Sequence, residues 1–166
     1  MITLVLGGAR SGKSAIAEAL LAASDDTVTY VATAEVRDDE DFLARVAQHQ
    51  VRRPSGWKTI ECGPDLITAL TGLEGAVLID SLGTWLAGWP DFIVDAESLL
   101  ESLRQCSGDV VIVSDEVGLG VHPSSEAGRS YRDAMGTLNQ LVADQADRVL
   151  LVVAGQVLTL KAADNP

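Results

Sequence analysis

Positive charge is scarce in this 166-residue chain: 12 lysines and arginines stand against 24 aspartates and glutamates, for a formal net charge of −12. A nucleic-acid-binding face needs a basic stripe to neutralise phosphates, so this balance argues against that class of partner. Cysteine is scarce too. Cys62 and Cys106 are isolated and lack metal-ligand spacing, which reads as two reduced thiols in a cytoplasmic protein. Long apolar runs are missing although 47% of residues are hydrophobic. No stretch approaches the roughly 20 residues that cross a bilayer, so no membrane span is expected. Met1-Ile2-Thr3-Leu4 carries no basic segment of the kind that opens a secretory signal. Repeats, low-complexity tracts and linkers are also lacking. The expectation is one domain over residues 1–166, large enough to bury a core without disulfides or metal, with 162–166 as a frayed tail.

Against the acidic background, the few basic residues gather in small spots, as suits binding of small anions. The first spot is Gly7-Gly8-Ala9-Arg10-Ser11-Gly12-Lys13-Ser14, which meets the phosphate-loop pattern G-x-x-x-x-G-K-S/T at every fixed position. Ile2–Leu6 reads as a buried strand before it and Ser14–Ala23 as a helix after it. Glycines let successive backbone N–H groups turn around phosphate oxygens, and the helix N-terminus adds partial positive charge. Lys13 is placed to reach β- and γ-phosphates, and the Ser14 hydroxyl to ligate Mg²⁺.

Strand and helix patterns alternate along the rest. Apolar or β-branched runs at Val28–Ala32, Ala76–Asp80, Val110–Ser114 and Val149–Ala154 are separated by helical patterns, which predicts a mostly parallel sheet covered on both faces. Val157–Lys161 follows too soon for a crossover helix and is expected as an antiparallel hairpin partner. Gly83–Asp95, with Gly88, Trp89 and Pro90, is the most loop-like interior segment, and Trp85 and Trp89 read as core or interface anchors. In such sheets ligands bind at the C-terminal strand edges. Asp80 ends the run Val77-Leu78-Ile79 at such an edge, where a carboxylate holds Mg²⁺ or caps the next turn.

Two more segments carry chemistry. Phe42, Val46 and His49 lie at i, i+4 and i+7, with Arg52, Arg53 and Lys58 just beyond. The imidazole either stabilises a helix C-terminus before a solvated basic turn, or serves as a neutral nucleophile beside guanidinium groups that bind phosphate. Spacing does not choose. Asp115 and Glu116 follow another buried strand and precede the glycines of Val117-Gly118-Leu119-Gly120. They could orient a substrate hydroxyl or Mg²⁺, or cap the next helix. That helix puts Tyr131, Met135, Leu138 and Val142 on a core face. Arg129 and Arg132 oppose its dipole near the start, as an anionic partner would favour, and His122 reads as a loop residue.

In order along nearly the whole chain, these segments resemble the bifunctional adenosylcobinamide kinase / adenosylcobinamide-phosphate guanylyltransferase family of cobalamin biosynthesis. The matching residues are 7–14; Tyr30-Val31-Ala32-Thr33-Ala34-Glu35; His49 with Arg53, Pro54, Trp57, Thr59 and Glu61; Asp80; Glu116–Gly120; Tyr131-Arg132-Asp133; Asn139-Gln140; and Val152–Gly155. The resemblance implies a RecA-like P-loop α/β fold and a homotrimer. It implies phosphorylation of adenosylcobinamide by ATP or GTP, then transfer of GMP from GTP to the phosphate product with release of pyrophosphate. It also implies His49 as carrier of the guanylyl group, and nucleotide contacts at 7–14, Thr33, Ala34, Glu35, Gln50, Val51, Arg52, Arg53, Glu61 and Asp80. Mg²⁺ on Ser14 and Asp80 would complete the site. The sequence departs from the family pattern where Asp115 stands in place of a common Asn and Glu126 in place of a basic residue.

Two other readings fit the phosphate loop alone: a single-activity small-molecule kinase with a structural His49, and a nucleotide-binding regulatory switch. The second lacks a guanine-specificity motif such as Asn-Lys-x-Asp.

Overall fold

Seven strands form one sheet in the order β3-β2-β4-β5-β1-β6-β7. The computed structural model describes residues 1–22, 27–34 and 54–163. Strand β1 (Ile2–Gly7) lies between β5 (Val110–Asp115) and β6 (Arg148–Val153), parallel to both. Strand β4 (Ala76–Asp80) joins β5 to β2 (Val28–Ala32), again in parallel, and β3 (Lys58–Glu61) extends that side. Among the described strands, only β7 (Gln156–Lys161) runs antiparallel, against β6.

The side-chain period of a strand divides the core in two. Leu4, Leu6, Val77, Ile79, Val110 and Ile112 point to one face, together with buried residues from four helices: α2 (Leu66–Leu70), α3 (Leu82–Ala87), α4 (Ala96–Gln105) and α5 (Glu126–Gln145). Val5, Leu78, Val111, Val113 and Val152 point to the other. There they meet Ala17 and Leu21 of α1 (Lys13–Ala22). The central strands are therefore apolar on both faces, which is why they read as unbroken hydrophobic runs. Met135, Leu138 and Val142 of α5 are buried, as their spacing predicts.

The structure adds detail that the sequence pattern did not carry. Gly83–Asp95 is not a plain connection. Ser81 caps α3 in a reciprocal box with Thr84, and Leu82, Trp85 and Leu86 are buried. A 3₁₀ turn over Pro90–Phe92 and the Asp95-capped start of α4 follow. Trp85 is a core residue whose indole N–H donates to the Pro64 carbonyl at 2.9 Å, whereas Trp89 is exposed. Strand β3 was not legible, because Lys58-Thr59-Ile60-Glu61 is a short, polar, largely exposed edge. The hairpin turn is Ala154-Gly155, both at positive φ, as in the type I′ turns whose twist matches that of the flanking strands. Residues 35–53, including Glu35, the Phe42–His49 pattern and Gln50–Arg53, lie outside the described residues, as do 164–166.

Candidate nucleotide site

The parallel strands deliver their C-terminal ends to one edge of the sheet. Parallel pairing puts Glu61, Ala32 and Asp80 in one row across β3, β2 and β4. Further along, Gly7 at the end of β1 is in register with Asp115 at the end of β5. The phosphate loop thus leaves the sheet beside Asp115, and the Gly7 carbonyl accepts the Glu116 N–H at 3.1 Å.

The loop is held from within and from the side. The Ser11 N–H donates to the Gly8 carbonyl at 3.2 Å, and the Ser11 hydroxyl, turned inward, accepts the Lys13 N–H at 3.3 Å. Ser11 is therefore a brace and a cap for α1. A methyl group at Gly7 would sit 2.4 Å from Ser11 Oγ and 2.7 Å from the Val152 carbonyl oxygen, so that position admits only glycine. Gly12 has φ +95°. Beneath it, the hairpin turn contributes a support the sequence did not announce: the Gly155 N–H donates to the Ser11 carbonyl at 2.8 Å. Ala9, Arg10 and Gly12 are exposed, while Gly8, Lys13 and Ser14 are half-buried at the mouth.

The Lys13 ammonium is the positive centre. It donates to the Gly8 carbonyl at 3.2 Å and pairs with Asp115 Oδ1 at 2.7 Å. Asp115 is fixed in turn by its neighbours. Its carbonyl accepts Asn139 Nδ2 at 3.0 Å, and Asn139 Oδ1 accepts the buried Ser114 hydroxyl at 2.6 Å. Gly83 leaves room for the other carboxylate oxygen, because a Cβ there would lie 2.0 Å from Asp115 Oδ2. Tyr131 closes this pocket, its hydroxyl donating to the Gly83 carbonyl at 3.2 Å and its ring meeting Phe92 edge-on at 5.3 Å. Burial, reinforced by the Asp115 charge, pushes the Tyr131 phenol up to about 12, so it is a donor across the ordinary pH range.

On the neighbouring strand, Asp80 Oδ2 accepts the Tyr30 hydroxyl at 2.9 Å. Thr33 is 2% exposed, and its hydroxyl is engaged inside the fold: it donates to the Ser81 carbonyl at 2.7 Å and accepts the Ser81 N–H at 3.0 Å. Thr33 therefore ties the end of β2 to the start of α3. Ala34 follows it, half-buried, and Glu61 is exposed at the end of β3. Glu116 turns its Oε1 back to accept the Gly118 N–H at 2.6 Å, which shapes the glycine turn. His122 lies in the loop with its Nδ1 2.9 Å from Arg132 Nη1, while Arg129 is held by the carbonyls of Pro123 and Ser124.

Among the described residues, the edge therefore offers a loop of backbone donors, the Lys13 ammonium, and the carboxylates of Asp80 and Asp115 on adjacent strands. Ser14 and Asp80 supply a hydroxyl and a carboxylate. Such hard oxygens suit a Mg²⁺ ion that keeps several waters and takes its remaining ligands from phosphates. Among the described residues no three or more His, Cys, Asp or Glu side chains group as a metal site of their own. Tyr30, Gly83, Tyr131 and Asn139 are site-shaping residues that pattern reasoning left unassigned or placed in the core. Their signal was the row of strand ends, visible only once the sheet order is known.

Comparison with known proteins bears on the fold and the family. The structure resembles an ATPase of a type III secretion system of pathogenic bacteria, with a TM-score of 0.58 and 11% identity, over 90% of this chain and 50% of that one. It also resembles a Pyrococcus horikoshii protein known as PH0250, with a TM-score of 0.60 and 9% identity, over 99% of this chain and 87% of that one. At these identities the likeness concerns the fold, a P-loop α/β sheet. Sequence relatives are nearer. The bifunctional adenosylcobalamin biosynthesis protein CobP of Pseudomonas aeruginosa is 41% identical, the match covering 97% of this chain and 98% of the relative. The corresponding protein CobU of Salmonella typhimurium is 36% identical over 97% and 100%. The family model for cobinamide kinase / cobinamide phosphate guanyltransferase matches residues 3–160, and this chain belongs to that family.

Proposed function

We propose that this protein phosphorylates adenosylcobinamide with ATP or GTP, and then transfers GMP from GTP to the phosphate, giving adenosylcobinamide-GDP and pyrophosphate. The observation that carries the reading is Lys13, held at the mouth of a complete phosphate loop beside Asp115 on a chain of this family. In the first step the substrate hydroxyl attacks the γ-phosphorus, its proton leaves to solvent or to a carboxylate, and the bond to the β-phosphate oxygen breaks. Asp115 and Glu116 lie at the loop-side edge where that hydroxyl must arrive. The backbone donors of Gly7–Ser14 and the Lys13 ammonium hold the β- and γ-phosphates in line. Mg²⁺ held by Ser14 and Asp80 would neutralise charge on the departing phosphates.

In the second step an imidazole nitrogen of His49 attacks the α-phosphorus of GTP. A phosphorus–nitrogen bond forms and pyrophosphate leaves. An oxygen of cobinamide phosphate then displaces the histidine and regenerates it. Arg52 and Arg53 would balance charge on the transferring group. Thr33, Ala34, Glu35, Gln50, Val51, Glu61 and Asp80 would line the nucleotide, with Thr33 acting through its backbone. We place both steps in one domain, at a site completed in a cytoplasmic homotrimer.

Turnover with two labels tests the proposal. Label from γ-labelled nucleotide is expected in cobinamide phosphate, and label from α-labelled GTP in cobinamide-GDP. Lys13→Ala should lower both by more than about a hundredfold. A γ-label product without an α-label product would leave a kinase alone, and neither product would leave a nucleotide-binding switch.

A further inference from the structure

We propose that Asp115 is a positioning residue that competes with phosphate for the Lys13 ammonium, and so keeps triphosphate and pyrophosphate binding from becoming too tight. The inference rests on the reading that Lys13 contacts the β- and γ-phosphates. An ammonium has three N–H donors. One goes to the Gly8 carbonyl at 3.2 Å and one to Asp115 Oδ1 at 2.7 Å. The pair is partly shielded, with the side chains 13% and 28% exposed, so water screens it incompletely.

Asp115 is not free to swing away. Its strand is registered against Gly7, its carbonyl is held by Asn139, and its Oδ2 occupies the space that Gly83 leaves open. A phosphate oxygen approaching Lys13 therefore either shares the ammonium with a fixed carboxylate or displaces it. In both cases two anions face each other across one cation. The opposition grows with the charge placed at Lys13: strong for a triphosphate or pyrophosphate, and weak for a monophosphate whose single phosphate lies elsewhere. An enzyme that must release pyrophosphate after every guanylyl transfer gains speed from such opposition.

The test replaces the carboxylate by its amide. Asp115→Asn is expected to tighten GTP and pyrophosphate binding about five- to tenfold and to leave GMP binding unchanged. In the guanylyl step the KM for GTP should fall while kcat falls with it, as pyrophosphate departs more slowly. A structural role for Asp115 would weaken all three ligands together. Unchanged or weaker GTP binding, or equal tightening of GMP, overturns the inference.

A measurement on the unmodified protein covers the case in which the variant does not fold. A water-soluble carbodiimide joins adjacent amine and carboxylate groups as an amide and leaves as the urea, taking up the water. Without nucleotide, a Lys13–Asp115 cross-link is expected by peptide mass mapping, and GTP with Mg²⁺ should suppress it. GTP binding with an undiminished cross-link, or no cross-link at all, overturns this inference alone. Absence of GTP binding overturns the triphosphate reading and this inference with it.

Discussion

Gly83 shows how one missing side chain can shape a site. It sits in the first turn of α3, where glycine costs about 1 kcal/mol relative to alanine, yet a Cβ there would collide with Asp115 Oδ2 and press on the Tyr131 hydroxyl. The local cost places a carboxylate beside Lys13. The Tyr131 phenol belongs to the same cluster, and its pKa gives the cluster a pH signature. A folded-state value near 12 lies above the ordinary 10, so the fold favours the protonated phenol. That stability is fully present below pH 10 and is lost as pH rises through 12. Urea unfolding of Tyr131→Phe should show a loss of about 1 kcal/mol at pH 7. The gap to the unmodified protein should shrink between pH 10 and 12. A gap that stays constant with pH would mean the phenol is not tied to this cluster.

Among the elements, α5 does the most to connect core and site. Its lower turns bury Met135, Leu138 and Val142, and Asn139 on the same face reaches Ser114 and the Asp115 carbonyl at the end of β5. Asn139→Ala leaves a buried hydroxyl and a carbonyl without their partner, and should cost about 1–3 kcal/mol of unfolding free energy. It should also tighten GTP binding, because a loosened Asp115 competes less well for the Lys13 ammonium. Normal GTP affinity in a destabilised variant would confine Asn139 to the core.

The elements also show what a sequence can carry. The central strands, α1, α5 and the hairpin were readable because burial on both faces, helical spacing and a short connection leave local traces. Lys58–Glu61 left none, since it is a polar edge strand recruited by its neighbour β2. Leu82–Ala87 was masked by Gly88, Trp89 and Pro90, although the Ser81–Thr84 capping box stood just before it. The phosphate loop was legible because all its residues are contiguous. The Lys13–Asp115 pair and the Tyr30–Asp80 bond were not, because each depends on which strands become neighbours.

At the scale of the molecule, the sheet order assembles the chemistry. Placing β5 between β1 and β4 sets Asp115 against the phosphate loop and Asp80 one strand away, while the β6–β7 turn supports the loop through Gly155. In the proposed cycle this edge holds the triphosphate and His49 accepts the nucleotide. The protein is incubated with α-labelled GTP and Mg²⁺, denatured, and digested for peptide mapping. Acid-labile, base-stable label is expected on the peptide containing His49, absent from His49→Ala and from Lys13→Ala. Label that survives His49→Ala would contradict the proposed cycle.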